Sequence, residues 1–155
     1  MKTLYLLRHA KAVQAIKHAW DPADDRNRPL TPSGIGDASE VGAWFARKGI
    51  RPGLALVSDA TRTLETWQHL RASSHMDVPM RVMPELYLAT AEQIISVVRQ
   101  VGDSFTSLLI ISHNPGLEEL AGAELSTSAL ASTHFNETWS AVTPALLEWK
   151  VRRFR

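Results

Sequence analysis

Short apolar runs without polar alternation recur along this chain. Three of them predict strands that are buried on both faces, because a half-exposed strand would alternate apolar and polar residues. They span residues 4–7, 54–58 and 108–112. Two weaker runs, residues 81–83 and 145–150, predict further strands at the edges of the same sheet. The pattern does not give the order of the strands.

Helix signals fill the segments between these runs. Thr31 precedes Pro32 and Asn114 precedes Pro115, and each pair predicts an N-cap followed by a proline at the first helical position. Thr90, with a glutamine three residues later, predicts a capping box. Apolar residues at helical spacing support the assignment. The predicted helices cover about residues 31–49, 60–72, 90–101 and 114–121.

Strands and helices alternate over the whole length, which predicts an α/β fold, a three-layer α/β/α sandwich with a mostly parallel central sheet. A chain of 155 residues has the length of one domain and can bury a core without disulfides. We therefore expect residues 1–155 to form a single domain. Residues 19–30 are polar and contain two prolines, and they predict a surface loop near the end of the first strand.

The composition narrows the classes of function. Lys and Arg number 17 against 16 Asp and Glu, so the chain has no general attraction for nucleic acid or an anionic membrane. There is no cysteine, which excludes disulfide scaffolds, thiol nucleophiles and cysteine-based metal sites. No apolar stretch approaches the ~18 residues of a membrane span. We expect a soluble, cytoplasmic protein that has neither nucleic acid nor a membrane as partner.

Candidate chemistry follows directly after the three buried runs. Arg8 and His9 follow the first run, Arg62 opens the helix after the second, and His113 follows the third. Ligands of open α/β sheets bind outside the carboxyl ends of the strands, so these four residues converge if the strands are neighbours. Each residue also has a plain structural explanation, such as a surface salt bridge or a helix cap. Their conjunction favours a pocket for an oxyanion.

Several blocks of the sequence resemble the histidine phosphatase superfamily. The segment LYLLRHAKA, residues 4–12, is similar to the Arg-His signature strand of that family, in the variant of its SixA-type branch. The resemblance continues in the family's order through residues 28–34, 56–67, 83–87 and 108–120 and ends in residues 143–151. It covers most of the chain and implies a phosphoglycerate mutase-like fold.

The resemblance implies a role for each candidate residue. His9 would be the nucleophile, phosphorylated transiently. The other members of the catalytic phosphate pocket would be Arg8, Arg62 and His113, with Asn114 as a further phosphate-binding residue. A phosphoryl group in transfer spreads negative charge over three oxygens, which arginines stabilise with fixed geometry. The pocket itself supplies the positive charge, so neither a metal nor another cofactor is implied.

The sequence departs from the family at two places. The tripeptide Ser58-Asp59-Ala60 replaces the usual Ser-Pro-Ala, which puts a carboxylate near the expected phosphate site, where it either weakens anion binding or orients Arg62. Many members that cleave phosphate esters also carry an acid that protonates the leaving oxygen, and Leu88 stands at the position expected for it. Glu85 is the only acid in that region, as a proton donor or as a surface charge.

The missing acid bears on the substrate. A general acid contributes about 10²–10⁴ in rate, which matters for an alkoxide leaving group and less for an imidazole. The sequence therefore favours a phosphatase that removes phosphate from a histidine of a phosphorylated partner protein. Two alternatives stay open. One is hydrolysis of a small phosphate ester with Glu85 or Asp59 as proton donor, and the other is a phosphate-binding module without turnover.

Overall fold

The computed structural model describes residues 1–15 and 22–154 of the chain. The strands in this part are β1 (Lys2–Arg8), β2 (Leu54–Val57), β3 (Met80–Val82), β4 (Ser107–Ser112), β5 (Leu130–Phe135) and β6 (Lys150–Arg152). The helices are α1 (Pro22–Arg26), α2 (Pro32–Lys48), α3 (Thr61–Ser74), α4 (Ala91–Arg99) and α5 (Gly116–Ala121), and short 3-10 turns lie at Pro84–Leu86, Trp139–Ala141 and Pro144–Leu146. None of the helices in this part is long and apolar enough to cross a membrane.

The sheet has the strand order β3-β2-β4-β1-β5-β6. The first four of these strands run parallel, whereas β5 is antiparallel to β1 and β6 is antiparallel to β5. The predicted mostly parallel sheet is confirmed, and the three strands predicted as buried are neighbours. Arg8 of β1 pairs with Ser112 of β4, and Val57 of β2 pairs with Ile111 of β4. The carboxyl ends of β1, β2 and β4 therefore meet at one edge of the sheet.

Helices cover both faces of the sheet. Leu6 and Ile110 lie in a core with side chains of α4 and α5, whereas Leu7 and Ile111 lie in a second core with side chains of α2 and α3. All four residues are fully buried, because successive side chains of a strand point to opposite faces and both faces are covered. This explains the apolar runs without alternation, and it confirms the three-layer α/β/α sandwich.

Two predicted capping signals are confirmed. Thr31 accepts a hydrogen bond from the Gly34 N–H at 3.0 Å at the start of α2, and Gly49 ends that helix in the left-handed region, with φ of 66°. Thr90 forms the predicted capping box at the start of α4. These local signals fix the helix ends because they satisfy backbone N–H and carbonyl groups that no helical turn reaches.

A glycine lets α2 pack directly against α3. A Cβ atom at Gly42 would lie 2.2 Å from the carbonyl oxygen of Leu70, a distance at which the two helices would have to separate. No other residue type fits this contact without displacing the backbone. The close packing matters for the site, because α3 carries Arg62 in its first turn.

The helix signal at Asn114 is wrong in its detail. The helix that follows, α5, begins at Gly116 and has no side-chain cap. The Asn114 side chain donates instead to the carbonyl oxygen of Leu125 at 2.8 Å, so it does not cap the helix but ties its start to a neighbouring loop.

The weaker strand predictions are only partly right. Both edge strands exist as β3 and β6, but residues 145–150 contribute only Lys150 to β6. Residues 145 and 146 lie in the turn Pro144–Leu146, because a proline at its first position favours a turn over a ladder of hydrogen bonds, and residues 147–149 are irregular. The strand β5 has no signal in the sequence, since Ser132, Thr133 and His134 interrupt its apolar residues.

The loop predicted over residues 19–30 is also corrected. Residues 16–21 lie outside the described residues, and the rest of the segment is not an open surface loop, because it contains α1. Asp25 of α1 is only 8% exposed. A carboxylate can be buried to this extent when it is paired with cations, and its partners belong to the candidate site.

Candidate active site

The four candidate residues lie at the shared edge of the sheet where β1, β2 and β4 end. Arg8 is the last residue of β1 and His9 follows it, while His113 follows β4 and Arg62 lies in the first turn of α3, after β2. The His9 and His113 rings have their centroids 5.5 Å apart. The charge of Arg62 acts on both rings and on Arg8. The convergence predicted from the three strand ends is thus present.

His9 is oriented by the peptide group next to it. Its Nδ1 atom lies 2.7 Å from the Ala10 carbonyl oxygen, and Nδ1 carries the proton because a carbonyl can only accept. The Ala10 N–H donates to Thr66 Oγ1 of α3 at 3.0 Å, which ties the backbone of Ala10 to that helix. The neutral ring therefore has its lone pair on Nε2, and no group of the described residues donates to that atom.

The surroundings of His9 keep its ring neutral. The pKa of His9 is lowered to about 4, mainly because the ring is buried. The guanidinium charges of Arg62, Arg8 and Arg28 lower the pKa as well and, together with burial, outweigh the hydrogen bond to the carbonyl. At neutral pH the Nε2 lone pair is available as a nucleophile.

His113 is a second buried, neutral imidazole. Its Nε2 atom lies 2.8 Å from Ser58 Oγ, at the end of β2. Its Nδ1 atom is buried without a hydrogen-bond partner among the described residues. Burial of the ring, the charge of Arg62 and the charge of a protonated His9 hold the pKa of His113 far below its usual value.

Arg8 and Arg62 each keep a buried N–H group that has no hydrogen-bond partner among the described residues. Arg62 is 2% exposed, and its Nε is one of these groups; the Nε of Arg8 is the other. Arg8 is anchored at its far end, where Nη1 donates to the Leu125 carbonyl oxygen at 3.0 Å. Buried N–H groups are nearly always satisfied, so two unpaired guanidinium donors beside two imidazoles indicate a site for an anion.

The predicted site omits an acid that the structure places against Arg62. Asp25 of α1 accepts hydrogen bonds from Arg62, from Arg28 and from the Tyr87 hydroxyl group. Burial alone would raise the pKa of Asp25, but the hydrogen bond from Tyr87 and the two guanidinium charges outweigh it and hold the pKa below its ordinary value. Asp25 is therefore ionised at neutral pH.

Tyr87 also belongs to this cluster. Its ring meets the His113 ring edge to face, with centroids 5.4 Å apart, and the Arg26 guanidinium lies 4.0 Å from its ring centroid. Burial, the hydrogen bond to Asp25 and the charge of Asp25 raise the pKa of Tyr87, so that the hydroxyl group keeps its proton. The tyrosine thus connects the acid in α1 with the second imidazole.

The other three predicted residues are placed differently. Asn114 donates to the same Leu125 carbonyl oxygen as Arg8, and its Oδ1 is buried with no hydrogen-bond partner within residues 1–15 and 22–154. Asp59 forms an ion pair with Arg26 at 3.1 Å and not with Arg62, so Asp59 does not orient that arginine.

Glu85 is exposed and lines a shallow groove beside α4 with Gln93, Ser96, Val97 and Gln100. In the described part of the chain no three His, Asp or Glu side chains are grouped so that they could hold a metal ion.

The two neutral imidazoles make folding stability depend on pH. In the unfolded chain each titrates near its ordinary pKa of 6.5, whereas in the folded protein both pKa values are lowered, His9 to about 4. Below pH 6.5 the unfolded chain therefore binds more protons than the folded protein. We expect the free energy of unfolding to be at its full value above pH 6.5 and to fall between pH 6.5 and about 4, by up to ~1.4 kcal/mol per pH unit for each histidine.

Urea denaturation at pH 7.5 and pH 5.0 measures this loss. The matched variant is His9→Gln, whose amide does not titrate, so its loss between the two pH values should be smaller than that of the wild type. The pKa of Asp25 is lowered from 3.8, so this carboxylate stays ionised between the two pH values and does not contribute to the difference. Equal unfolding free energies of the wild type at the two pH values would contradict the neutral, buried state of the rings.

Comparisons with known proteins agree with this geometry. The profile of the histidine phosphatase superfamily (branch 1) matches residues 4–87. An uncharacterized protein of Mycobacterium tuberculosis is 34% identical over 115 residues, which are 74% of this chain and 67% of that protein. The phosphohistidine phosphatase SixA of Escherichia coli is 27% identical over 146 residues, 87% of this chain and 86% of SixA.

A solved structure shows the same fold. The protein from Agrobacterium tumefaciens that is assigned as a phosphohistidine phosphatase SixA superposes with a TM-score of 0.74 at 28% identity, covering 85% of this chain and 90% of that one. The matched profile spans more than half of the 155 residues and includes Arg8, His9 and Arg62. This chain therefore belongs to the histidine phosphatase superfamily, branch 1.

Proposed function

We propose that this protein is a phosphatase that removes the phosphoryl group from a phosphohistidine of a partner protein through transient phosphorylation of His9. One observation carries the proposal: the Nδ1–H of His9 donates to its neighbouring carbonyl, which leaves the lone pair of a neutral ring on Nε2. The buried Nε groups of Arg8 and Arg62 supply positive charge beside it. A nucleophile and fixed cations are the parts that phosphoryl transfer requires.

The first step transfers the phosphoryl group to His9. The Nε2 lone pair forms a bond to phosphorus while the phosphorus–nitrogen bond of the substrate breaks in line with it. The leaving imidazole keeps the electron pair of that bond and takes up a proton. The guanidiniums stabilise the charge on the three equatorial oxygens, and the Ala10 carbonyl stabilises the positive ring of the phosphorylated His9 through Nδ1–H.

The second step releases phosphate. The oxygen of a water molecule attacks phosphorus from the side opposite His9, the bond from phosphorus to Nε2 breaks, and the electron pair returns to the ring. One proton of the water passes to solvent, and inorganic phosphate leaves. His9 is again neutral at the end, because burial and three nearby arginines keep its pKa low.

The acids around the site favour an imidazole as leaving group. Asp25 is held ionised, Asp59 is paired with Arg26, and Glu85 lies at an exposed groove beside α4. None of these three carboxyl groups forms a hydrogen bond with either imidazole, so none is placed as a proton donor there. An alkoxide leaving group needs such a donor, whereas an imidazole that is protonated from solvent does not.

A comparison of two substrates tests the proposal. We expect kcat/KM for a phosphohistidine peptide to exceed that for an alkyl phosphate such as glycerol phosphate by about 100-fold or more, the scale of a missing general acid. p-Nitrophenyl phosphate, whose leaving group needs little protonation, serves as the control that the pocket is intact. A preference for the alkyl phosphate would instead support the small-ester alternative. Tight binding of phosphate with turnover of none of the three substrates would support a binding module.

A further inference from the structure

We propose that Asp25 is a positioning residue that turns the Nε edge of Arg62 toward the transferring phosphoryl group. This inference rests on the proposed function and assigns a role to an acid that the signature residues of the sequence do not include. Asp25 would act only through Arg62 and would not touch the substrate.

The contacts between the two residues define the orientation of the guanidinium. Arg62 Nη1 donates to the main-chain carbonyl oxygen of Asp25 at 2.7 Å, and Nη2 donates to the Asp25 carboxylate at 3.2 Å. Both contacts use the far end of the planar guanidinium. The Nε group on its side edge is buried and has no hydrogen-bond partner in the part of the chain that the structure describes. A guanidinium fixed at one edge presents the other edge with a defined direction.

The carboxylate of Asp25 is itself held on both oxygens. Arg28 Nε donates to Oδ1 at 3.0 Å, and the Tyr87 hydroxyl group donates to Oδ2, the oxygen that also accepts from Arg62. The Asp25 carboxylate is therefore held in a fixed position. Its hydrogen bonds connect α1 to α3 and to the segment after the Pro84–Leu86 turn.

The negative charge of Asp25 makes it possible to distinguish a positioning role from a role in substrate binding. A carboxylate near the site repels a phosphate dianion, so Asp25 opposes binding of the ground state. Its orienting effect acts on the transition state, in which the guanidinium geometry matters most. Removal of Asp25 should therefore lower kcat without raising KM, whereas loss of a simple binding residue would raise KM.

The variant Asp25→Ala tests this split with p-nitrophenyl phosphate as substrate. We expect kcat to fall by about 10–100-fold, the scale of a misplaced catalytic group, with KM unchanged or lower. The matched control is Asp24→Ala, the exposed acid next to it in α1, which should keep wild-type kcat and KM. A fall in kcat of less than threefold, or a KM raised in proportion to the loss of kcat/KM, would overturn the inference.

A double-mutant cycle checks that Asp25 acts through Arg62. In an Arg62→Lys background the planar guanidinium that Asp25 would orient is already absent. Adding Asp25→Ala to that variant should therefore lower kcat by less than threefold. Losses that multiply in the double variant would instead assign Asp25 a general structural role. If Asp25→Ala does not fold, Asp25→Asn replaces it in the same cycle, because asparagine keeps the volume and loses the charge and one acceptor.

The outcome separates this inference from the proposed function. A wild type that turns over none of the substrates overturns both. A wild type that turns over p-nitrophenyl phosphate, with an Asp25→Ala variant equal to it, overturns only the role of Asp25.

Discussion

Replacement of His9 by alanine is expected to lower kcat by about 10⁴-fold or more, the scale observed when a covalent nucleophile is lost. The physical reason is that the neutral His9 ring carries an oriented lone pair on Nε2. It lies close to the two arginines that stabilise the charge of the phosphoryl group. The measurement combines steady-state turnover with brief incubation with a ³²P-labelled phosphohistidine peptide. The wild type should acquire a label that is stable to alkali and labile to acid, and the variant should acquire none.

The matched control for this experiment is His69→Ala. His69 is a half-exposed histidine on α3, the helix that also carries Arg62, so its loss changes the number of histidines without touching the site. This variant should keep both the turnover and the label of the wild type. A label that persists in His9→Ala would show that another residue is phosphorylated, and it would contradict the proposed reaction.

The central part of the site could be predicted from the sequence because it depends on local rules. An apolar run that ends in Arg8-His9, and another that ends before His113, put these side chains at strand ends. Parallel strands bring their carboxyl ends to one edge, so strand type alone brings the residues close to each other. Only the order of the strands was missing, and it depends on packing between segments far apart in the chain.

Asp25 and Tyr87 could not be predicted in the same way. Their hydrogen bond joins residues 62 positions apart, and neither residue follows an apolar run that would place it at a strand end. Asp25 lies in a polar segment whose composition is typical of solvent-exposed loops. Its burial results from pairing with Arg62 of α3 and with Arg28, three residues further along the chain, and such pairing leaves no periodic signal.

Asp59 shows how closeness in sequence misleads. It precedes Arg62 by three residues, which suggested that it either orients that arginine or weakens anion binding. In the structure Asp59 precedes α3 and pairs with Arg26 of α1, whereas Arg62 points inward from the first turn of α3 to Asp25. The orienting role thus belongs to an acid 37 positions away, and two acid–arginine pairs connect α1 with the start of α3.

Replacement of Arg62 by alanine is expected to lower kcat/KM by about 10³-fold or more, the scale of a catalytic arginine in phosphoryl transfer. That factor corresponds to ~4 kcal/mol of lost transition-state stabilisation. The free energy of unfolding should fall less, by ~1–3 kcal/mol, because the Asp25 carboxylate loses one partner but keeps Arg28 and the Tyr87 hydroxyl group.

Turnover of p-nitrophenyl phosphate and urea denaturation measure the two losses on the same variant. Arg71→Ala is the matched control, because Arg71 is exposed at the other end of α3 and its loss should leave kcat/KM unchanged. Arg62→Lys should lie between the wild type and Arg62→Ala, since lysine keeps the charge but not the planar fork. A loss of unfolding free energy as large as the loss of transition-state stabilisation would show that Arg62 holds the fold rather than the phosphoryl group. Its buried Nε, for which the described residues offer no hydrogen-bond acceptor, would then need another explanation.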